Sequence, residues 1–466
     1  MKKIGKLKTY TSREIENAFM GIGFETLDRE MFRPEMCYEL LSKTGAKFAR
    51  CQTGWLRTER EKGVYDFKWL DDVVDNLISI GVKPWFNVGY GNPLYMDDIP
   101  NEYAIGCVPL YYTEECLEAW KNYVKALAEH FAGRVTEFEV WNEPDLDGHW
   151  FWYPRERSAP DYSELVKMTG SIIRDVIPDA RIGANISHIE NLKYTAELAE
   201  HLTPGDVDFV TYHLYYRIPE SPQFAHCIKE FRDAFLSRGH NVEFWQGETG
   251  FPSWCYSPHY IVREGINSER AQAIWHLRRA FNELSFGAKR YSLFQIADMW
   301  EKTYKTAAST IPKTAAHGIL NGKIYTPKKA HETLTYTSAL LQGDTEYFES
   351  GFYGSVIDNV GDKNIWAYQQ LSAKYLSFKK NGKPFYVYYL PANVLRDEGE
   401  EQEFHAYLPE EIENPVLIDT YTGDVFDVSD APKEYKSGWG ATVYSGLVIR
   451  DYPLILCDKS VFEIVE

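Results

Sequence analysis

Phe138-Glu139-Val140-Trp141-Asn142-Glu143-Pro144-Asp145-Leu146 closes a short apolar run with an amide, a carboxylate and a proline. The apolar pattern from residue 135 to 141 reads as a β-strand, and the proline then blocks a direct continuation. A second run, Val242-Glu243-Phe244-Trp245-Gln246, leads into Gly247-Glu248-Thr249-Gly250-Phe251-Pro252. Six more such runs cover residues 19–24, 46–51, 82–88, 181–186, 207–212 and 290–295. Helical periods separate them. Trp69, Val73, Leu77 and Ile80 fall on one face and end at Gly81; Asp161 and Glu164 form a capping-box-like start ahead of Leu165, Met168, Ile172 and Val176. Eight strands, each followed by a helix, predict an α/β fold, a (β/α)8 TIM barrel. A doubly wound open sheet is the alternative, because periodicity does not report closure.

The pattern changes near residue 344. Strand-like alternation takes over at 364–370 and 384–390, and Thr422-Gly423 reads as a hairpin turn between Val416-Leu417-Ile418 and Val425-Phe426. The division expected is therefore a barrel over 1–343 and a C-terminal β-sandwich over 344–466. The acidic stretch Arg396-Asp397-Glu398-Gly399-Glu400-Glu401 reads as a solvated loop.

Composition narrows the function. The chain has 466 residues, 25% of them charged and 44% hydrophobic, which excludes a disordered, collagen-like or coiled-coil protein. Its formal charge of -18 repels polyphosphate, so no nucleic-acid partner is expected. No 18-residue apolar run is present, so no membrane partner is expected either. Seven cysteines without a Cys-x-x-Cys pair suggest neither a disulfide framework nor a zinc knuckle, and with no apolar stretch behind the basic start Met1-Lys2-Lys3, a cytoplasmic setting is the expectation. The sequence lacks the glycine-rich phosphate loops, the Gly-x-Ser-x-Gly elbow and His-x-x-x-His spacing, so no cofactor and no metal are expected. Aromatic residues reach 15%, and such rings stack on sugars as well as filling cores.

Reactive groups of a barrel stand at the C-terminal ends of its strands. Glu143 follows the fourth strand and Glu248 the seventh, so both carboxylates face one mouth. A pair of carboxylates at such a mouth, about 5 to 5.5 Å apart, is the arrangement of a retaining glycosidase. Strand-end Asn142-Glu143-Pro144 with a second Glu on strand seven resembles the clan A (4/7) glycoside hydrolases. The stretch Glu139-Val140-Trp141-Asn142-Glu143-Pro144-Asp145-Leu146, with Phe151-Trp152 after it, is similar to family 39, the β-xylosidase and α-L-iduronidase family. A barrel followed by a β-sandwich matches that layout too. The surroundings of the second glutamate, Gln246 to Ser253, depart from family 39 and look more like other families of the clan.

Position by position, the resemblance implies that Glu143 is the acid/base and Glu248 the nucleophile. It implies that Asn142 bonds the sugar 2-hydroxyl and that Arg50 keeps the nucleophile ionised. His213 and Tyr215 would contact the nucleophile or the glycone, and Trp300 would floor the glycone subsite. Glu25, Asn87 and Gln295 are further candidate glycone contacts, and Asp145 and His149 candidate subsite or loop-packing residues. Trp55, Trp150, Trp152 and Trp254 also follow strands. Each of these has a structural reading as well: a salt bridge for Arg50, a hydrogen-bonded core position for His213, core packing for the tryptophans.

The expected activity is retaining hydrolysis of an O-glycoside, exo-acting on β-glycosides in the manner of a β-xylosidase. The partner is then an oligosaccharide or glycoside substrate, with the β-module packing on the barrel or joining copies into a homo-oligomer. A non-catalytic carbohydrate-binding protein on the same barrel and a transglycosidase are the alternatives.

Overall fold

The computed structural model describes residues 1–216, 218–254, 267–299, 316–357, 373–395, 399 and 401–466. All eight predicted barrel strands form, as β2 (Met20–Phe24), β3 (Phe48–Gln52), β4 (Lys83–Val88), β5 (Glu137–Val140), β6 (Arg181–Ile186), β7 (Phe209–His213), β8 (Glu243–Thr249) and β9 (Arg290–Leu293). They pair in parallel, and β9 closes on β2 through Met20 and Tyr291, so the sheet is a barrel and not an open doubly wound sheet.

Helices pack outside as their apolar spacing predicts. In the helix Lys68–Ser79, Leu70, Val73, Val74 and Leu77 are buried, while Trp69 lies half-buried beneath the Arg57 guanidinium. The helix Ala159–Val176 differs from the expected start. Its cap is Ser158, whose side chain accepts from the Asp161 amide at 3.2 Å, with Pro160 in the first turn. Its buried stripe runs through Leu165, Val166, Thr169 and Ile173, one position round from the predicted face.

The barrel interior is charged at two levels. At its N-terminal end Arg290 forks onto Glu137 and is stacked between Phe48 and Trp245, 3.6 and 3.8 Å from their ring centres. Above it Glu139 receives Arg50 and the Trp85 indole N–H. Strand alternation explains both: Glu137 and Glu139 share the inward face of β5, while Phe138 and Val140 face the helices.

The C-terminal module has two antiparallel sheets, as predicted. The larger contains β10 (Thr345–Tyr347), β12 (Lys374–Lys380), β13 (Lys383–Tyr389), β15 (Pro415–Asp419), β16 (Asp424–Asp427), β19 (Leu454–Asp458) and β20 (Ile464–Val465). The smaller has β11 (Tyr353–Ile357), β14 (Glu401–Leu408), β17 (Lys433–Lys436) and β18 (Ala441–Arg450). The β15–β16 hairpin turns at Gly423, whose φ of 73° needs glycine. The stretch 364–370 lies outside the described residues, as does most of the acidic loop.

One assignment changes. The division at 343 gave the N-terminus to the barrel, yet β1 (Lys2–Leu7) pairs with β16 and β20 and completes the larger sheet of the module. Pairing between residues more than 400 positions apart leaves no local signal in the sequence. Barrel and module share one apolar core, and the helix Glu269–Ser285 is buried between them. Arg278 on that helix pairs with Glu220 at 2.6 Å and donates to the Ala392 carbonyl, while Asn282 donates to the Tyr389 hydroxyl.

Candidate active site

The strand ends converge on Arg50. Its guanidinium is fully buried and donates four ways: to Glu139 at 2.7 Å, Glu25 at 2.9 Å, Glu248 at 3.0 Å and the Asn142 side-chain oxygen at 2.8 Å. Four strand ends, those of β2, β3, β5 and β8, are thereby tied to one cation. Asn142 uses its oxygen here, so its amide nitrogen is the donor end.

Glu248 reaches the interior through a bulge. Along β8, Trp245 points into the barrel and Gln246 outward to Glu283 on the covering helix. Simple alternation would then send Glu248 outward. The register with β7 instead runs Tyr212 to Gln246 and His213 to Glu248, so Gly247 is an extra residue that resets the alternation. A Cβ at Gly247 would lie 2.9 Å from the Thr211 Cβ and 3.3 Å from His213 Nε2, which is why glycine stands there.

Glu143 is placed by an irregular backbone. Trp141 and Glu143 adopt left-handed conformations, φ 66° and 53°. The Glu143 amide is fixed by the Asn185 side-chain oxygen at 2.6 Å, and its carboxylate accepts from the Ser187 hydroxyl at 2.9 Å. Because the Asn185 oxygen is committed to that amide, its NH2 faces Thr211 and His213 Nε2, the latter at 3.0 Å. With Nε2 turned to that amide, His213 Nδ1 is the nitrogen that carries a proton toward the glutamates. That N–H points between the glutamates, 3.1 Å from Glu143 and 3.6 Å from Glu248.

One oxygen from each glutamate and a ring nitrogen of His213 lie within 4.8 Å of one another. Their exposures separate supports from working groups: Arg50, Glu139 and His213 side chains are 0% exposed, Glu143 14% and Glu248 12%. Burial acts to raise the Glu248 carboxyl. His213, Arg50 and hydrogen bonds from Glu25 and Tyr215 outweigh it and hold the group at about 2. The Tyr215 hydroxyl donates to it at 2.6 Å. Among the described residues, the Glu143, His213 and Glu248 trio alone has the spacing to hold a metal ion. A guanidinium 3.0 Å from Glu248 opposes a second cation there.

Of the residues singled out in the sequence, Glu143, Glu248, Asn142, Arg50, His213 and Tyr215 meet in this mouth. Trp300 lies outside the described residues. Asn87 holds the Trp141 carbonyl at 2.6 Å, a backbone brace in place of the expected glycone contact. Asp145 is buried and accepts the Ser187 and His188 amides, so it packs the loop. Trp55 and Trp152 are fully buried core rings, the first bonded to Glu59 and the second to the Tyr111 hydroxyl. His149 lies against Trp150, which is half-buried. Trp254 is 51% exposed. Glu139, Asn185 and Ser187 were missed. For Glu139 a signal existed: a carboxylate on the inward parity of an apolar strand needs a buried cation.

The family model of glycosyl hydrolases family 39 matches residues 35–243, taking in Arg50, Asn142, Glu143, His213 and Tyr215 and stopping short of Glu248. The chain is 22% identical over 319 residues to a β-xylosidase of Geobacillus stearothermophilus, covering 62% of this chain and 59% of the relative. It is 24% identical over 237 residues to a β-xylosidase of Caldicellulosiruptor saccharolyticus, covering 46% and 44%. It thus spans about half the length of these curated relatives. Among solved structures, the fold matches a family 39 enzyme from Xanthomonas axonopodis pv. citri with TM-score 0.56, 15% identity and 97% and 95% coverage. It also matches a family 39 β-xylosidase from Caulobacter crescentus with TM-score 0.54, 16% identity and 96% and 98% coverage. Over residues 35–243 the chain is thus similar to glycosyl hydrolases family 39, and its fold is that of the solved family 39 structures.

Proposed function

We propose that the chain is a retaining O-glycoside hydrolase, exo-acting on β-glycosides with β-xylosides first among them. The reading rests on one observation above all: an oxygen of Glu143 and an oxygen of Glu248 stand within 4.8 Å. That closeness suits a nucleophile and an acid/base better than an inverting pair, whose carboxyls stand ~6.5–9.5 Å apart.

In this scheme Glu248 attacks the anomeric carbon while Glu143 gives its proton to the departing oxygen. Glu143 then takes a proton from water, which attacks the same carbon and releases Glu248 as carboxylate. Arg50 and Tyr215 hold the charge of Glu248 before attack and after release. His213 Nδ1–H and Ser187 Oγ–H orient Glu143, and the Asn142 amide is available to the sugar 2-hydroxyl.

The test pairs two variants. Glu248→Ala abolishes turnover of aryl glycosides, and azide restores it with inverted product. Glu143→Ala slows the first step far less for good leaving groups than for poor ones. Near-normal activity of Glu248→Ala, or equal losses across leaving groups for Glu143→Ala, contradicts the assignment.

A further inference from the structure

Two buried carboxyls of the site have no part in the scheme above, Glu139, which is engaged by Arg50 and Trp85, and Glu25. Glu25, at the end of β2, is 2% exposed and shares Arg50 Nη1 with Glu248. Glu25 Oε2 and Glu248 Oε2 lie 2.9 and 3.0 Å from that one nitrogen, which sets the two carboxyls side by side. Two buried carboxylates held side by side repel each other, and a proton on one of the pair relieves this. Charge counting agrees, since Arg50 is a single cation among Glu25, Glu139 and Glu248. Among the described residues the other groups facing Glu25 are Cys51 on β3, Tyr90 after β4 and Tyr215 after β7, and none of these three adds a positive charge.

Of the two, Glu25 is the better seat for that proton. Glu248 already accepts from Arg50 and Tyr215 and is the more anionic partner. Among the described residues Glu25 Oε1 accepts no donor, so a proton on this carboxyl displaces no bond. Gly23 makes room for that oxygen, for a Cβ there would come within 2.7 Å of it.

We propose that Glu25 is a positioning residue that stays protonated in the working enzyme and donates a hydrogen bond to Glu248. The proposal rests on the reading of Glu248 as nucleophile. Such a bond favours Glu248 as a carboxylate. It therefore restrains attack slightly and assists the second step, where the bond between the anomeric carbon and Glu248 breaks and the electron pair returns to the carboxylate. Gln at this position keeps a neutral donor; Ala removes it.

The test has a spectroscopic arm and a kinetic arm. The infrared difference between the wild-type protein and Glu25→Gln at neutral pH shows the C=O stretch of a protonated, buried carboxyl. With activated aryl glycosides, whose kcat is set by the second step, Glu25→Ala lowers kcat by about three- to tenfold. It lowers kcat/KM less and lengthens the life of the glycosyl-enzyme seen as a burst, while Glu25→Gln recovers most of the loss. A general structural defect would instead lower both constants together. Absence of the carboxyl band, or a Glu25→Gln variant as impaired as Glu25→Ala, overturns the proposal. Full activity of Glu248→Ala would remove the nucleophile reading, and the infrared arm would still decide the proton on Glu25.

Discussion

Arg50 Nη1 lies 3.0 Å from Glu248 Oε2, and the same guanidinium holds Glu25, Glu139 and Asn142. One side chain thus fixes the charge of one glutamate and the position of the amide beside the other. Replacing it with methionine strands three buried carboxyls. Arg50→Met should lower kcat/KM by at least ~10³-fold and cost about 3–5 kcal/mol of stability, as for a buried ion pair broken from one side. Arg50→Lys keeps the charge but not the four-way fork, and should recover stability more than activity. Urea melts and initial rates on the two variants check this; wild-type kinetics for Arg50→Met would contradict it.

The pH response follows from Glu248. Its folded value of about 2 lies below the ordinary 4.5. As a nucleophile it stays charged through mildly acid solution, so kcat/KM should lose nothing to its protonation between pH ~6 and ~4. The same shift contributes stability that is full above the ordinary carboxyl range and is lost as pH falls through about 2. Glu25, held well above that range by burial and by Glu248, runs the opposite way: its contribution is full at low pH and falls as pH rises past the ordinary value. Rates and near-ultraviolet circular dichroism across the acid side decide it. A rate limb centred near the ordinary carboxyl value, with the fold intact, is the contrary outcome.

Gly247 sets where Glu248 points. A methyl group there would press on Thr211 and on the ring that bridges the two glutamates. Gly247→Ala should lower kcat by about tenfold to a hundredfold through misplacement of His213 and Glu248. Initial rates compared with the thermal midpoint separate this from unfolding, since a loss that merely tracks the folded fraction counts against the bulge argument.

Much of this was legible in the sequence, and the exceptions have physical reasons. The eight barrel strands and the Trp141-Asn142-Glu143-Pro144 end were readable because buried parallel strands are short apolar runs bounded by turns. Strand β1 was not, because its partners lie at the other end of the chain. Alternation alone would have turned Glu248 outward; Gly247 is the trace of the bulge that turns it in. Trp55 and Trp152, open in the sequence to a sugar contact or to core packing, are core rings, since position after a strand does not tell a mouth-facing ring from one beneath the loops. Asn87 and Asp145 serve the backbone around Glu143, a duty visible only once the loop conformation is known.

The opposite end of the barrel offers a control. Glu137 and Arg290 form a forked pair between Phe48 and Trp245, away from the mouth that holds Glu143 and Glu248. Arg290→Ala should destabilise the protein by about 3–5 kcal/mol in urea unfolding while leaving kcat per folded molecule near wild type. Loss of kcat without loss of stability would mean that the two layers of charge in the barrel are coupled.

The central claim is that Glu143 and Glu248 carry out a double displacement on a β-glycoside. Proton NMR of the first-formed sugar, recorded before mutarotation, tests it most directly. The account predicts that the product first appears as the β-anomer, the configuration of the substrate; first appearance of the α-anomer would contradict it.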